Sequence, residues 1–427
     1  MVSDGTLTIY HDERHVGWLY DTQPLRFEYA SEWLEHSKAV GLSPSLPLTQ
    51  QVHSGDGVLA YFENLLPEGD LRHHLELRHH TTTVFGLLKA IGGDTASGFT
   101  LLSPGESPAP PHYRPIHWET VAEHLQHRER GPLFSQPFSQ PFSPHGEEAR
   151  ISLAGAQNKL LLMVQPDGSP AIPEGSAPSS HILKPDIQGL KGVWTTALNE
   201  TFCMQLAAEL GLGVAEASYQ PETRACLLRR YDRISDAQGK LRRLHQLDFC
   251  QLAGTPSLIK YESDGGPSLV RCRELLQQTG APAKDLQRLI GWLFFNLLIG
   301  NNDSHAKNLA ILYTDEGPRL APFYDLMSTA LYSGLSRRFA LHIAGEDHPG
   351  SIERSHLETL ARLLRFQPRY FLRQGLELAE RMPAAIDSTL ATLSPMANQG
   401  TEQTLLERLQ QRLLSNCRKL PARWSTD

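Results

Sequence analysis

The sequence predicts an α+β fold with a β-rich N-terminal part and a mostly helical C-terminal part. Three observations support this prediction. Apolar and polar residues alternate from Thr6 to Tyr10, as in a half-buried strand. After residue 245 most apolar residues instead follow helical spacing. The longest apolar run, Leu289 to Gly300, is too short for the roughly 20 residues that cross a bilayer, so we expect a buried helix and no membrane contact.

Composition limits the possible classes of protein. A chain of 427 residues is long enough for two or three compact units. Its net charge of -7 lacks the basic excess of a protein that holds nucleic acid by itself, so contact with DNA would need a partner. Five widely spaced cysteines without CxxC spacing argue against a disulfide framework or a zinc site. With no secretory signal pattern at the N-terminus, we expect a cytoplasmic protein.

Residues 1–102 are expected to form a β-rich subdomain. The strand-like segments Thr6–Tyr10 and Val16–Tyr20 flank a short polar turn, which predicts a hairpin. Gly92 and Gly93 are expected to end the second of two helices. These two helices are predicted from apolar spacing at Phe62–Leu77 and Val84–Ile91.

Residues 103–149 are predicted to be a proline-rich linker followed by a mobile loop. Pro104–Pro115 is dense in proline, and Gly131–Pro144 contains the repeat FSQPFSQPFSP, which has neither helix nor strand period. The phenylalanines of this repeat fit either a docking motif or a flexible insertion.

Residues 150–245 show strands around one helix. The helix is predicted at Ala197–Leu210, ended by Gly211. The strands are predicted at Lys159–Val164, His181–Lys184 and Ala225–Leu228. A group of arginines nearby is interpreted as either a solvated charged face or a site for an acidic ligand: Arg229, Arg230, Arg233, Arg242 and Arg243.

Residues 246–427 are predicted to form a helical unit interrupted by one hairpin. The hairpin turns at Asp315-Glu316-Gly317, and the chain ends in helical periodicity over Thr359–Leu390 and Gln403–Leu414.

The strongest chemical signal is the segment NNDSHAKN. Its Asp303 and Asn308 have the D-x-x-x-x-N spacing of kinase catalytic loops, in which the aspartate accepts the substrate proton and the asparagine binds magnesium. The predicted hairpin would return Asp325 to Asn308, and together they would offer hard oxygen ligands to Mg²⁺. Lys307 adds a nearby positive charge. Taken singly, Asp303 and Asn308 could instead be loop-capping residues.

This spacing, with a β-rich part preceding a helical part, indicates a two-lobed protein-kinase-like fold. Lys184 ends a predicted strand, as does the kinase lysine that reaches the ATP phosphates, although an exposed strand-end lysine is the alternative. Glu200, in the next helix, is a possible partner of this lysine or an ordinary exposed glutamate. The segment from Ser152 to Lys159 offers small residues whose amides could approach phosphates, or forms a plain turn.

Several segments of the chain, together with their order, resemble the HipA kinase toxins of bacterial toxin–antitoxin pairs. They are SLAGAQNK, ILKP, NETFCMQLAAELGL, RRYDR, YESDGGP, NDSHAKN and PFYDL, preceded by VGWLYD, SPSLPL, FENLLPEG and LLKAIGGD. The resemblance covers most of the chain. It implies a serine/threonine protein kinase that arrests growth by modifying a component of translation, such as an aminoacyl-tRNA synthetase.

The resemblance also implies the roles of individual residues. Asp303 would be the catalytic base, Asn308 and Asp325 would hold Mg²⁺, and Ser152 would be autophosphorylated. A helix-turn-helix antitoxin would bind the chain and supply the contact with DNA. The residues that would bind ATP are Ala154, Gly155, Ala156, Gln157, Asn158, Lys159, Lys184, Arg229, Arg230, Tyr231, His305, Ala306, Lys307, Asn308, Tyr324 and Asp325.

Two departures from the family pattern concern the hinge beside adenine. Arg229 stands where a glutamate is frequent before Tyr-Asp-Arg, and Leu247 stands where an acidic residue precedes Asp248. Neither changes the catalytic residues. A small-molecule or lipid kinase and a non-catalytic ATP-binding co-repressor remain the alternative functions.

Overall fold

A computed structural model describes residues 5–129 and 159–425, which form two compact units. The first unit takes its described residues from Met1–Leu183, Arg230–Leu258 and Leu312–Asp315. The second unit takes them from Lys184–Arg229, Ile259–Ile311 and Glu316–Asp427. Each unit is therefore assembled from stretches that are distant in the sequence.

The described residues contain strands and helices in the proportions expected of an α+β fold. The strands are β1 (Thr6–His11), β2 (Arg14–Tyr20), β3 (Arg26–Tyr29), β4 (Val52–Ser54), β5 (Phe99–Leu102), β6 (His112–Pro115), β7 (Leu160–Val164), β8 (Pro170–Glu174), β9 (His181–Lys184), β10 (Ala217–Gln220), β11 (Ala225–Arg229), β12 (Arg233–Ser235), β13 (Leu241–Arg243), β14 (Gln246–Asp248), β15 (Ala310–Thr314) and β16 (Gly317–Leu320). The helices are α1 (Ser31–Leu34), α2 (Asp56–Glu63), α3 (Gly69–His79), α4 (Val84–Ile91), α5 (Trp118–Glu129), α6 (Thr196–Glu209), α7 (Phe249–Ala253), α8 (Leu269–Leu275), α9 (Pro282–Ile299), α10 (Arg354–Leu363), α11 (Pro368–Leu393) and α12 (Gly400–Ser425).

The N-terminal part of the first unit is an antiparallel sheet in the order β4-β3-β2-β1-β5. The predicted hairpin is confirmed, because β1 pairs with β2 and Thr6 lies opposite Tyr20. Leu7, Ile9 and Leu19 are fully buried, so the alternating apolar residues form the core face of this sheet.

The prediction of one helix over Phe62–Leu77 is wrong. Helix α2 ends before Pro67 and α3 begins after it. Proline has no N–H to donate and disfavours helical geometry in the residue before it, which separates the two helices. Gly69, with φ of +57°, opens the second of them in the left-handed region.

Helix α4 has the predicted boundaries, Val84–Ile91. It begins there because the Thr83 hydroxyl accepts the Gly86 N–H at 3.0 Å, as an N-cap does. Gly92 follows the helix with an ordinary φ of -69°. Glycine is nevertheless required there, since a Cβ would lie 2.6 Å from the Leu88 carbonyl oxygen and 2.9 Å from the Leu101 side chain.

A second group of strands in the first unit contains β6, β7, β8 and β9. Strand β7 pairs antiparallel with β8 and β9, and β6 pairs with β8. The predicted strands Lys159–Val164 and His181–Lys184 are confirmed to within one residue. Lys184, at the end of β9, is the first residue of the second unit.

A buried ion cluster lies in the first unit, centred on Asp94. Arg233 Nη2 is 2.7 Å from Asp94 Oδ1, and Arg243 Nη2 is 3.1 Å from the same oxygen. Arg230 Nη2 lies 2.7 Å from Asp232 Oδ2. Burial alone would raise the pKa of Asp94, but the arginines outweigh it and hold this pKa well below the usual range.

Both interpretations of the arginine group are therefore wrong for three of its members. Arg230, Arg233 and Arg243 are buried among carboxylates rather than solvated or offered to a ligand. Arg229 and Arg242 retain exposed side chains. Sequence patterning could not distinguish them, because the centre of the cluster, Asp94, is more than a hundred residues away.

The second unit contains the long helices. Helix α6 matches the predicted Ala197–Leu210 within one residue and is followed by Gly211 with φ of +77°. The apolar run Leu289–Gly300 is confirmed as buried helix, since most of α9, including Trp292 and Phe294, is inaccessible. No helix in the described part of the chain is both long and apolar enough to span a bilayer.

The segment Thr359–Leu390, predicted to be helical from its periodicity, is divided between two helices. Helix α10 ends at Leu363 and α11 starts at Pro368, with Arg365 between them in the left-handed region at φ of +59°. Proline suits a first helical position because the N–H it lacks would have no helical partner there. The predicted C-terminal helix over Gln403–Leu414 is present within the longer α12.

The predicted hairpin is also present. Strands β15 and β16 flank Asp315 and Glu316, and Gly317 has the left-handed φ of +102° that the turn requires. Directly after β16, the Ala321 N–H donates to the carbonyl of Ala310, the first residue of β15, at 2.8 Å. The hairpin therefore returns the chain to the level of residue 310.

Candidate active site

Lys184 and Glu200 form a buried ion pair in the second unit. Lys184 Nζ lies 2.6 Å from Glu200 Oε1, and the two side chains are 9% and 2% exposed. The link between β9 and α6 fixes this geometry, because Asp186 accepts the Ala197 N–H at 2.8 Å in the first turn of the helix. The structure thus brings together the lysine and the glutamate that the sequence suggested as partners.

Asp325 contacts the same lysine and Asn308. Its Oδ1 lies 2.8 Å from Lys184 Nζ, and its Oδ2 accepts the Asn308 amide N–H at 2.7 Å. Burial alone would lower the pKa of Lys184, but Asp325 and Glu200 together raise it above its usual value, so the lysine is charged. Asp325 has φ of +60°, a strained conformation that a non-glycine residue keeps only where its surroundings impose it.

The loop that carries Asp303 is held in place by its neighbours. Asn301 donates to Asn296 at the end of α9 at 2.8 Å, and the Asn302 N–H donates to Thr329 at 2.7 Å. Residues 301, 302 and 304 are buried, whereas Asp303 is exposed. The fold therefore presents one carboxylate from a fixed, otherwise buried segment.

The Asn308 amide does not have the orientation expected of a metal ligand. Its oxygen accepts the His305 N–H at 3.1 Å, while its NH₂ group faces Asp325. Rotation of this amide would place its oxygen beside the Asp325 carboxylate. A carboxylate and an amide oxygen are hard donors that suit Mg²⁺, so these two residues fit the proposed metal.

The other residues of the loop 303–308 are buried and support it. His305 is buried. Its burial is the main cause that holds its pKa well below the usual value, and the positive charge of Lys260 adds to this, so the ring is neutral. Ala306 and Lys307 are buried as well. Tyr324 donates its hydroxyl to the Lys307 carbonyl at 2.6 Å, which ties the loop to the residue before Asp325.

The residues expected to form the hinge have other partners in the structure. Arg229 contacts Glu216 at 3.3 Å on the surface of the second unit, while Tyr231 donates to Gln246 at 2.6 Å in the first unit. The Arg230 side chain belongs to the buried ion cluster, and its predicted contact with the nucleotide stays a prediction. Lys159 is partly buried before β7. The segment Ala154–Asn158 and Ser152 lie outside the described residues.

One residue in contact with the site was given no role from the sequence. The Tyr261 hydroxyl donates to Asp303 Oδ1 at 2.7 Å. Tyr261 belongs to the segment YESDGGP, which entered only as part of the family resemblance. No spacing rule links it to a carboxylate 42 residues further along the chain.

The α+β fold is that of the kinase-like class. The family model of the HipA-like C-terminal domain matches residues 151–392, and that of the HipA N-terminal domain matches residues 7–99. The chain belongs to the HipA family.

Individual relatives agree with this assignment. The serine/threonine-protein kinase toxin HipA of Shewanella oneidensis is 28% identical over 92% of this chain and 89% of its own length. The putative kinase Y4mE of Sinorhizobium fredii is 37% identical over 79% of this chain and 80% of its own length. A solved structure of the Shewanella oneidensis toxin–antitoxin system, containing HipA, HipB and operator DNA, matches with a TM-score of 0.83 and 26% identity, covering 98% of both chains.

Proposed function

We propose that this chain is a serine/threonine protein kinase that uses ATP and Mg²⁺ and acts as the toxin of a toxin–antitoxin pair. The observation that supports this most is the position of Lys184, which contacts Glu200 and Asp325 simultaneously, with Asn308 at 2.7 Å from Asp325. The alternative role, an exposed lysine at the end of a strand, does not fit, because Lys184 is buried between two carboxylates and burial of a charge is costly unless it is paired.

Each residue of this group has a distinct role in the proposal. Lys184 orients the α- and β-phosphates of ATP, and Asp325 with Asn308 holds Mg²⁺, which neutralises charge on the transferred phosphoryl group. Asp303 accepts the proton of the substrate hydroxyl. Because phosphoryl transfer depends mainly on positioning and charge stabilisation, a fixed loop with one exposed carboxylate is well suited to it.

We further propose a helix-turn-helix antitoxin as partner. The related Shewanella oneidensis HipA was solved with HipB and operator DNA, and this chain has a net charge of -7. An acidic chain gains little from the phosphate backbone alone, so the antitoxin would supply the contact with DNA. In a gel-shift assay with the operator, a shift should require the antitoxin, and tight sequence-specific binding by this chain alone would contradict the proposal.

The substrate is proposed from the family resemblance to be a component of translation, such as an aminoacyl-tRNA synthetase.

Autophosphorylation at Ser152 is proposed as the off-switch, since a phosphate adds about -1.5 to -2 charges beside the segment expected to approach the triphosphate. Mass spectrometry of the wild-type chain and of Asp303→Ala after incubation with ATP tests the switch. A wild-type chain that transfers phosphate but leaves Ser152 unmodified after incubation with ATP would disprove it, as would an unchanged ATP affinity once Ser152 is phosphorylated.

The decisive experiment measures phosphate transfer by the purified chain. Radiolabelled ATP is supplied with Mg²⁺ and with a heat-inactivated cell lysate as phosphoacceptor, and Asp303→Ala is the control because its exposed side chain can be removed without opening the core. Label that appears on protein with the wild type but not with Asp303→Ala supports the proposal. Label on lipids or small metabolites would support the small-molecule kinase, and ATP binding without transfer would support the non-catalytic co-repressor. Phosphoproteomics after induction then identifies the substrate.

A further inference from the structure

Tyr261 stands next to the proposed catalytic base and has no place in the roles described above. Its hydroxyl donates to Asp303 Oδ1 at 2.7 Å, a length typical of a strong hydrogen bond to a carboxylate. We propose that Tyr261 is a positioning residue that orients the Asp303 carboxylate towards the substrate hydroxyl. This inference rests on the proposed kinase function.

The backbone around Tyr261 is held by a tight turn. The Tyr261 carbonyl accepts the Asp264 N–H at 3.1 Å and the Gly266 N–H at 2.8 Å. A Cβ at Gly266 would overlap the Ile259 carbonyl oxygen and lie 2.7 Å from that of Tyr261, so only glycine lets the chain close here. Gly266, the second glycine of YESDGGP, therefore fixes the direction from which Tyr261 approaches Asp303.

The ring of Tyr261 is fixed by aromatic packing. It meets the buried ring of His305 edge-on, with centroids 5.2 Å apart and an interplanar angle of 82°. This arrangement is favourable for two aromatic rings. Because His305 lies two residues after Asp303, the same loop that carries the base also holds the ring that orients it.

An oriented carboxylate matters because Asp303 is exposed. Without a fixed donor, an exposed aspartate rotates among several orientations, of which few point an oxygen at the substrate. With Oδ1 held by the phenol, the carboxylate is oriented to accept the proton of the incoming hydroxyl. As the new oxygen–phosphorus bond forms and the bond from the γ-phosphorus to the nucleoside diphosphate breaks, the substrate proton passes to Asp303 and later to solvent. Tyr261 keeps its proton throughout.

The test compares Tyr261→Phe with the wild-type full-length chain. Phenylalanine keeps the ring against His305 and removes only the hydroxyl. The maximal rate of label transfer from radiolabelled ATP to a heat-inactivated lysate should fall about tenfold, as expected for a lost hydrogen bond to a charged group. The KM for ATP and the unfolding temperature should stay unchanged. Tyr370→Phe, on α11, is the matched control and should behave as the wild type.

The outcomes separate this inference from the proposed function. If the wild type transfers no label, the kinase assignment fails. If it transfers label and Tyr261→Phe does so at the same maximal rate, the kinase stands and the positioning role is wrong. A lower unfolding temperature together with a higher KM for ATP would also contradict it, because that pattern indicates a structural tyrosine rather than one that acts through Asp303.

Discussion

Lys184 Nζ lies 2.8 Å from Asp325 Oδ1 while it also contacts Glu200, so one ammonium group forms ion pairs with two carboxylates. The two carboxylates differ in exposure: the Glu200 side chain is 2% exposed and that of Asp325 is 42% exposed. Glu200 is thus the buried partner that holds the lysine in place. In the proposed function, Asp325 is the partner that would bind a metal ion while Lys184 binds phosphate.

Lys184→Met should abolish phosphate transfer and also destabilise the protein. The substitution leaves the Glu200 carboxylate buried without its lysine, which costs about 3 kcal/mol in typical buried pairs. The double variant Lys184→Met with Glu200→Gln removes that buried charge, so it should unfold at a higher urea concentration than the single variant. Both should be equally inactive.

Urea unfolding and label transfer, measured on the same preparations, check this prediction. If the single variant is as stable as the wild type, the pair does not contribute to stability. If the double variant regains activity, Lys184 has no role in the chemistry.

Asp325→Asn and Asp303→Asn should affect different steps. Asp325 is the proposed metal ligand, so its loss should weaken ATP binding in the presence of Mg²⁺ and make it insensitive to added Mg²⁺. Asp303→Asn should leave ATP affinity unchanged and mainly lower the rate. Titration calorimetry with a non-hydrolysable ATP analogue, with and without Mg²⁺, separates the two. Equal metal dependence in Asp325→Asn and wild type would disprove the metal site.

Asp94→Asn should reduce the free energy of unfolding at pH 7. It should also make the free energy of unfolding fall less steeply as the pH is lowered below about 4. The arginines hold the pKa of folded Asp94 below its unfolded value, so its stabilisation is fully present above about pH 4 and is lost as the pH falls. The variant should therefore be less stable than the wild type at pH 7, by about 3 kcal/mol, and lose less stability on acidification.

Urea unfolding at pH 7 and at a pH well below 4 measures this difference. The other carboxylates titrate in both proteins, so the comparison isolates Asp94. A constant gap between wild type and variant at both pH values would show that Asp94 is not charged in the folded state.

The features that the sequence predicted are local ones. Helix Val84–Ile91, strand His181–Lys184 and the spacing of Asp303 and Asn308 depend on residues within a few positions of each other. The hairpin that returns Asp325 to Asn308 is also local, because a short turn joins its two strands.

The features that the sequence did not predict depend on residues that are distant along the chain. Asp94 meets Arg243 across 149 positions, and Tyr261 meets Asp303 across 42. Periodicity carries no information about such pairs, so buried arginines looked the same as exposed ones. The orientation of the Asn308 amide depends on its two neighbours in space and likewise has no signal in the sequence.

Gly266→Ala should lower the rate of phosphate transfer more than it lowers stability. The added Cβ would press against the carbonyls of Ile259 and Tyr261, so the turn must open and Tyr261 must move away from Asp303. The turn lies on the surface, with Ser263 to Gly265 exposed, which allows it to open without disturbing the core.

Gly350→Ala in the same unit is the matched control, because a Cβ there would meet nothing within 4 Å. The maximal rate of Gly266→Ala should fall about tenfold, as for Tyr261→Phe, with ATP affinity retained. The combination of Gly266→Ala with Tyr261→Phe should be no slower than either single variant, because both remove the same hydrogen bond. Additive losses in the double variant would mean that Gly266 affects catalysis by another route than the position of Tyr261.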